Sequence, residues 1–504
     1  MSSYPIPEPA DYYSSARAAL EEMICDLSSE ASARMDHAEV EQLVDERSEE
    51  VKRRLVQGHF DQRTAGEVRT SVKGADGIER THRRRDTSRG MMSLFGMVTL
   101  HRVALSKRGA PALMPLDAEL NMPAGLYSFG LRRRLGNEAA NLSFDLTVEN
   151  VLATTGAHVS KRQVEEAIVQ AAVDFEAFYA TSVDAPAVRE GNLLVMSFDG
   201  KGVVMTKKGL RDATRRAAEK ASKKLRTRVS PGEKKDRKRM AAVAAIFSLA
   251  PRPRTAGHIL RDPGSGPAPP RPKPVDKRVK ASLVYDMWHM VNDTFLEAAS
   301  RDPDLKRRWV VLVDGNKDQI RYVGKAAALI GHDVTLVLDL IHAIEYLWKA
   351  AWCLFAKGDA GAEKWVATRI RRLLKGEVSL VAAGIRRSAT KRKLKGERRK
   401  TMDKVANYLL NHKSMMCYDE YLRDGLPIAT GVIEGACRHL VQDRMGITGA
   451  RWGLETAEAV LRLRALRTCG DLDAYWDFHR TCELERNHLM HYDAAEFPAL
   501  REAA

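Results

Sequence analysis

Three carboxylates sit where the surrounding residue pattern changes abruptly. Asp199 closes the apolar run Leu-Leu-Val-Met-Ser-Phe and is followed by Gly200. Asp314 closes Trp-Val-Val-Leu-Val and is followed by Gly315. Glu434 lies in Gly-Val-Ile-Glu-Gly-Ala-Cys-Arg, after a long helical pattern. Acids at the carboxyl ends of neighbouring parallel strands converge on one crevice, and an acid from a following helix can complete such a group. Oxygen ligands of this kind suit hard divalent cations, Mg²⁺ or Mn²⁺, rather than softer metals. Two such ions about 3.5–4 Å apart can activate a water or 3′-hydroxyl and stabilise the leaving oxygen of a phosphodiester. Without cations, grouped carboxylates repel and one tends to protonate. Asp-Gly is also an ordinary turn, so either pair alone carries little; two in one α/β pattern carry more.

The elements that must position these acids can be read from periodicity. A buried strand is expected over 192–201, another over 240–249, and strand–helix–strand over 309–315, 316–331 and 333–342. This spacing marks a parallel α/β unit. Residues 343–425 read as helical almost throughout and include the basic stretch RRSATKRKLKGERRK. A Gly425-Leu-Pro break precedes the helix of Glu434. Between the second and third core strands lies a Pro/Arg-rich segment, APRPRTAGHILRDPGSGPAPPRPKPVDKR, of a composition expected to stay extended and poorly ordered, followed by a helix over 280–299.

Upstream, 12–23 and 38–55 carry apolar residues at helical spacing. The basic cluster Arg80, His82, Arg83, Arg84, Arg85 and Arg89 reads as a solvated loop or arm, followed by a short strand from Gly96. Over 143–172 the pattern is helix, turn, helix, with Ser160 and Gln163 forming a capping box. The second helix presents Lys161, Arg162 and Gln163 at its start, where a recognition helix meets base edges in the major groove. A short helical hairpin packed in any domain gives the same pattern.

Lys plus Arg outnumber Asp plus Glu by 82 to 66, for a net charge of +16. That surplus favours a polyanionic partner through counterion release, although charge alone does not separate DNA from RNA or an anionic membrane. No apolar run reaches the length of a membrane span and the start lacks a signal-peptide pattern, so no membrane partner and a cytoplasmic location are expected. The six cysteines are scattered without a C-x-x-C pair, which points to reduced thiols rather than a zinc ribbon or a disulfide framework.

Together SFDGKGVVM, KASKKLRTRVSPGEKKDRKRMAAVAAIF, VVLVDGN, VLDLIHAIEYLWKAAWCLF, ATGVIEGACRHLVQDRMGITGARWGLETAEAVLRLRAL and GDLDAYWDFH resemble transposases of the ISKra-type insertion-sequence family, relatives of the Mutator-like acidic-triad transposases. The resemblance spans about residues 90–480, and the long motif around Glu434 is its most specific part. It implies an α/β fold: an RNase H-like mixed-sheet core interrupted by an all-helical insertion, with an N-terminal helical DNA-binding region. The catalytic, metal-holding triad maps to Asp199, Asp314 and Glu434, with Mg²⁺ or Mn²⁺, two ions, as cofactor. Asp339-Leu-Ile-His342 matches a D/C-x-x-H element; Asp339 is an alternative second catalytic acid and His342 an auxiliary. Many relatives carry cysteine pairs where this chain has HRVALSKRGAPALMPLD; if that element helps relatives bind DNA ends, this chain does so without zinc or does so poorly.

The implied partners are double-stranded DNA, both terminal inverted repeats and target, and a second copy of the chain, since two ends must be synapsed. Lys201, Arg438, Arg451 and Trp452 are the candidate DNA contacts beside the acids, with Lys161, Arg162 and Gln163 upstream. Arg451 and Trp452 could clamp and stack a flipped base, or Trp452 could simply pack a loop. The expected division is an N-terminal helical region (1–90), a DNA-binding region (91–185), a first core part with a basic insertion and the linker (186–342), the helical insertion (343–425), a second core part (426–480) and a tail (481–504). Three rivals stand beside this reading: a domesticated DNA-binding derivative, an RNase H-fold nuclease that cuts without joining, and an RNA-binding α/β protein.

Overall fold

A computed structural model describes residues 11–67, 70–181, 193–220, 237–447 and 449–494. The chain divides into two compact units, one of residues 1–179 with 471–504 and the other of 180–470. The expected boundary at 185/186, much of the basic insertion (221–236) and the last ten residues lie outside the described residues.

In the first unit, helices Ser14–Leu27 and His37–Ala65 precede a three-stranded antiparallel sheet of His82–Ser93, Gly96–Lys107 and Ala110–Leu113. The long helix lies on the middle strand, where the Gln57 side chain both donates to and accepts from the Thr99 backbone at 2.8 Å. The basic cluster is therefore not a loop. Arg83, Arg84, Arg85 and Arg89 ride on the first strand, whereas Arg80 lies in a separate short strand, Glu79–Arg80, and is buried, with its guanidinium 2.7 Å from Asp76 and its Nε donating to the Pro111 carbonyl. Helices Phe129–Ala139, Phe144–Thr155 and Lys161–Ala171 follow, each opened by a serine (Ser128, Ser143, Ser160) whose side chain accepts from the first turn. Such caps satisfy amides that the helix itself cannot. Leu131, Leu135, Val151, Val164 and Ile168 are fully buried among them. The expected tail is partly a helix, Leu472–Asn487, that belongs to this unit; its His479 imidazole meets Asp174 at 2.6 Å in the interior.

In the second unit five strands form one mixed sheet: β1 (Leu193–Val204), β2 (Lys238–Leu249), β3 (Val275–Ser282), β4 (Trp309–Val313) and β5 (Val334–Leu338), in spatial order β5-β4-β1-β2-β3. β1, β2 and β3 are an antiparallel meander, whereas β4 lies parallel to β1 and β5 parallel to β4. β4 is buried along its whole length, as an interior parallel strand must be. Helix α1 (Met287–Arg301) covers β1 and β2, with Phe295 edge-on to Trp309 at 6.0 Å. Helix α2 (Lys317–Ile330) links β4 to β5 and ends at Gly331 in the left-handed region.

β3 corrects two expectations. The linker contains a short helix, Ala256–Leu260, and its end is a strand; the helix expected over 280–299 begins only at Met287. The strand is hard to see in sequence because its outward residues are charged. Arg278 pairs with Glu297, and Lys280 with Asp293 and Glu297, all on α1. Its outer edge is covered by helix α9 (Leu454–Cys469), whose buried Glu458 accepts from Ser282 Oγ and from the Leu283 amide at 2.7 Å each. Covering an edge in this way removes an aggregation-prone ladder.

After β5 come helices α3 (Leu340–Leu354), α4 (Ala360–Leu373), α5 (Val378–Lys391), α6 (Gly396–Asn411) and α7 (Tyr418–Arg423), then α8 (Gly431–Ala436). The helical pattern over 343–425 is as expected. Its buried side chains, among them Leu347, Val366, Ile385 and Leu409, share one continuous core with the sheet. At the free edge of the sheet Tyr418 and Tyr421 donate their hydroxyls to the β5 carbonyls of Leu338 (2.9 Å) and Leu336 (3.2 Å), giving partners to backbone groups that no further strand supplies.

Candidate active site

Asp199 does not end its strand; β1 runs on to Val204, still paired with β2. What ends near it is the parallel pairing with β4, whose last register pair is Ser197 with Leu312. Asp199 and Asp314 each follow that pair by two residues, Asp199 still within β1 and Asp314 just past the end of β4. Both are half-buried. Asp314 Oδ1 accepts from the Asn316 amide at 2.8 Å, and Gln319 on α2 donates to the Phe198 carbonyl at 2.7 Å, tying the turn after β4 back to β1.

Asp339 is wholly buried and fully engaged. Its Oδ1 accepts from the Ile341 amide at 2.7 Å; its Oδ2 accepts from the Thr430 hydroxyl and faces His342 Nδ1 at 3.3 Å. Thr430 is the residue before α8, so Asp339 links the end of β5 to the start of the Glu434 helix. The adjacent amide, Leu340 N, donates to Ile428 at 2.9 Å and makes the same link through backbone.

Glu434 is exposed, on a helix that packs over β1 and β2. One turn later, where residues three apart share a face, the Cys437 thiol donates to Asp199 Oδ2 at 3.2 Å. Burial first, then the Asp199 carboxylate, hold the Cys437 thiol far above its ordinary value, so it stays protonated and acts as a donor. α8 passes directly into a π-helical stretch, Cys437–Gln442, a rare geometry that recurs at functional sites. The structure thus puts Asp199 and Asp314 at the same end of two paired parallel strands, and Cys437, one turn after Glu434, against Asp199. Among the described residues no three His, Cys, Asp or Glu side chains are close enough to hold a metal ion together. Comparisons with protein-family models and with curated proteins find no match for the chain.

The remaining candidates separate clearly. Lys201 is half-buried two residues along the strand from Asp199. Arg438 is exposed and loosely paired with Asp443 at 3.7 Å. Arg451 is exposed, but Trp452 is a packing residue: its ring is 5% exposed, Arg444 lies over it at 4.7 Å, and its Nε1 donates to the Met445 carbonyl. A ring so enclosed offers no face to a base, which corrects the stacking expectation. Upstream, Lys161 pairs with Asp145 and Arg162 with Glu166, both at 2.9 Å and at the surface, while Gln163 is engaged by Ser160 in the expected capping box.

His342 is raised above its ordinary value of 6.5 by its hydrogen bond to Asp339, with Asp314 and Glu345 adding to the same effect. A raised folded-state value means that its stabilising contribution is complete below about pH 6.5 and is lost as pH rises through the folded value. The side chain is 35% exposed, so after solvent screening the contribution is below about 1 kcal/mol. Thermal midpoints of the wild type and His342→Gln are expected to differ more at pH 6 than at pH 8.5. An equal difference at both pH values would remove this assignment.

Sequence reasoning missed Cys437, Thr430, Gln319 and Tyr408. Cys437 had a usable signal, since it stands three residues after Glu434. The others meet their partners only through the fold: Thr430 the Asp339 carboxylate, Tyr408 the Asp314 carbonyl and Gln319 the Phe198 carbonyl.

Proposed function

We propose that the chain is a metal-dependent DNA transposase on an RNase H-like core, which cleaves DNA at terminal inverted repeats and joins the freed 3′-hydroxyl to target DNA. The observation that carries the reading is the parallel pairing of the first and fourth core strands, with Asp199 and Asp314 each two residues beyond its last pair. The helical segment between β5 and the Glu434 helix fits the insertion that the resemblance implies.

The donor chemistry fits Mg²⁺ or Mn²⁺: three carboxylates, one exposed and two half-buried. Asp199, Asp314 and Glu434 would hold the cations, which when bound supply water or hydroxyl activation and leaving-oxygen stabilisation. Glu434, exposed and with no described polar partner, must turn toward Asp199 for this. Lys201, two residues after Asp199, and Arg438, four residues after Glu434, would neutralise a scissile phosphate, and Arg162 on its exposed helix start would contact a duplex.

The test uses the full chain with labelled DNA ends taken from the flanks of its gene, in Mg²⁺ and in EDTA. Metal-dependent nicks followed by joined products are expected. Nicks without joining would point to a nuclease. A second reading, DNA binding without cutting, is favoured by the absence of a gathered ligand set among the described residues; it predicts salt-sensitive binding to the same ends and no nicks in any metal.

A further inference from the structure

The turn after β4 is gripped from outside the sheet by α6. The Tyr408 hydroxyl donates to the Asp314 carbonyl at 2.9 Å, and a ring nitrogen of His412, one turn on, lies 3.1 Å from the Gly315 carbonyl. Tyr346 of α3 lies flat on the Tyr408 ring, with centroids 3.7 Å apart and planes within 3°. Gly315 has φ +91°, where side chains are strained, and a Cβ there would stand 2.8 Å from the Tyr408 hydroxyl. The turn therefore has one conformation, set jointly by a glycine and by residues of the helical segment.

We infer that Tyr408 is a positioning residue for Asp314, so that the helical segment between β5 and α8 is the backstop that aims the second acid. The inference rests on the proposed metal-holding role of Asp314. Tyr408 is well suited to the task. Stacking on Tyr346 fixes its ring, and its bond goes to the main chain of Asp314, so it does not occupy the carboxylate, whose Oδ1 accepts from the Asn316 amide. Gly315 supplies the other half, because its conformation turns the chain away before it can collide with the ring.

The test measures Mn²⁺ binding to the full chain by electron paramagnetic resonance of the free ion, in the wild type, Tyr408→Phe, Gly315→Ala and Asp314→Asn, alongside thermal midpoints. Tyr408→Phe keeps the stack and removes one hydroxyl, and is expected to weaken Mn²⁺ binding about 3- to 10-fold, the span of one hydrogen bond, with the midpoint nearly unchanged. Gly315→Ala is expected to weaken it further. If Asp314→Asn abolishes Mn²⁺ binding while Tyr408→Phe binds as the wild type, the positioning role is wrong and the metal site stands. A lowered midpoint with unchanged Mn²⁺ binding in Tyr408→Phe also overturns it, as a merely structural role. If Asp314→Asn binds Mn²⁺ like the wild type, the metal-holding reading falls and takes this inference with it.

Discussion

Asp199→Asn, Asp314→Asn and Glu434→Gln are each expected to lower Mg²⁺-dependent cleavage by about 10³-fold or more, a loss of about 4 kcal/mol in transition-state stabilisation. Binding of the same DNA ends should stay within a few fold, because affinity comes largely from cationic side chains elsewhere. The three losses should not add: removing any one ligand already disables the cation site, so a double variant should be about as inactive as a single one. Of the three, Asp199→Asn also replaces the acceptor of the Cys437 thiol with a group of the same shape, so its fold should survive. Gel-based cleavage of labelled ends, with filter binding run in parallel, measures both quantities. Retained cleavage in Glu434→Gln alone would leave a two-aspartate site and remove the helix from the chemistry. Retained cleavage in all three would remove the acidic triad from the chemistry, whereas no cleavage by the wild type in any metal would leave only the DNA-binding reading.

How much of this was legible beforehand depended on whether the pattern was local. β4 reads directly as an unbroken apolar run, and α2 as a helix closed by Gly331, because burial on both faces and a left-handed cap leave marks in the residues themselves. The capping box at Ser160 was equally plain. β3 was hidden because Arg278 and Lys280, which look solvated in sequence, are paired across to α1. The reach of β1 past Asp199 was hidden too, since Gly200-Lys201-Gly202 is a poor strand by composition and is held by pairing with β2. Arg80 and Trp452 show the same limit from the other side. An arginine in a basic run reads as solvated and a tryptophan beside an arginine reads equally as a base contact or a packing residue, yet Asp76 and Arg444, both brought there by the chain's own turns, enclose them. The acids themselves were visible; their burial was not. Nothing in Leu-Asp-Leu-Ile-His distinguishes a wholly buried Asp339 from a half-buried Asp314.

That burial sets up the second large effect. Asp339→Ala is expected to destabilise the unit of residues 180–470 by about 3 kcal/mol or more, since it strips a helix cap and leaves the Thr430 hydroxyl and the Ile341 amide without their buried acceptor. Asp339→Asn keeps the shape and one acceptor, so it should cost about 1–2 kcal/mol, mainly through the lost charge facing His342. Shifts in the denaturant midpoint give the comparison; the two-unit chain need not unfold in a single step. Cleavage should fall in Asp339→Ala to the extent that α8 loosens, because Thr430 joins Asp339 to the start of the helix that carries Glu434, and it should largely persist in Asp339→Asn at low temperature. The opposite pattern, with Asp339→Asn as stable as the wild type but inactive and Asp314→Asn active, would make Asp339 the second metal-holding acid. The geometry argues against that exchange: a carboxylate that already accepts from an amide and a hydroxyl, with no exposed surface, must break both bonds to reach a cation, whereas Asp314 gives up only the Asn316 amide.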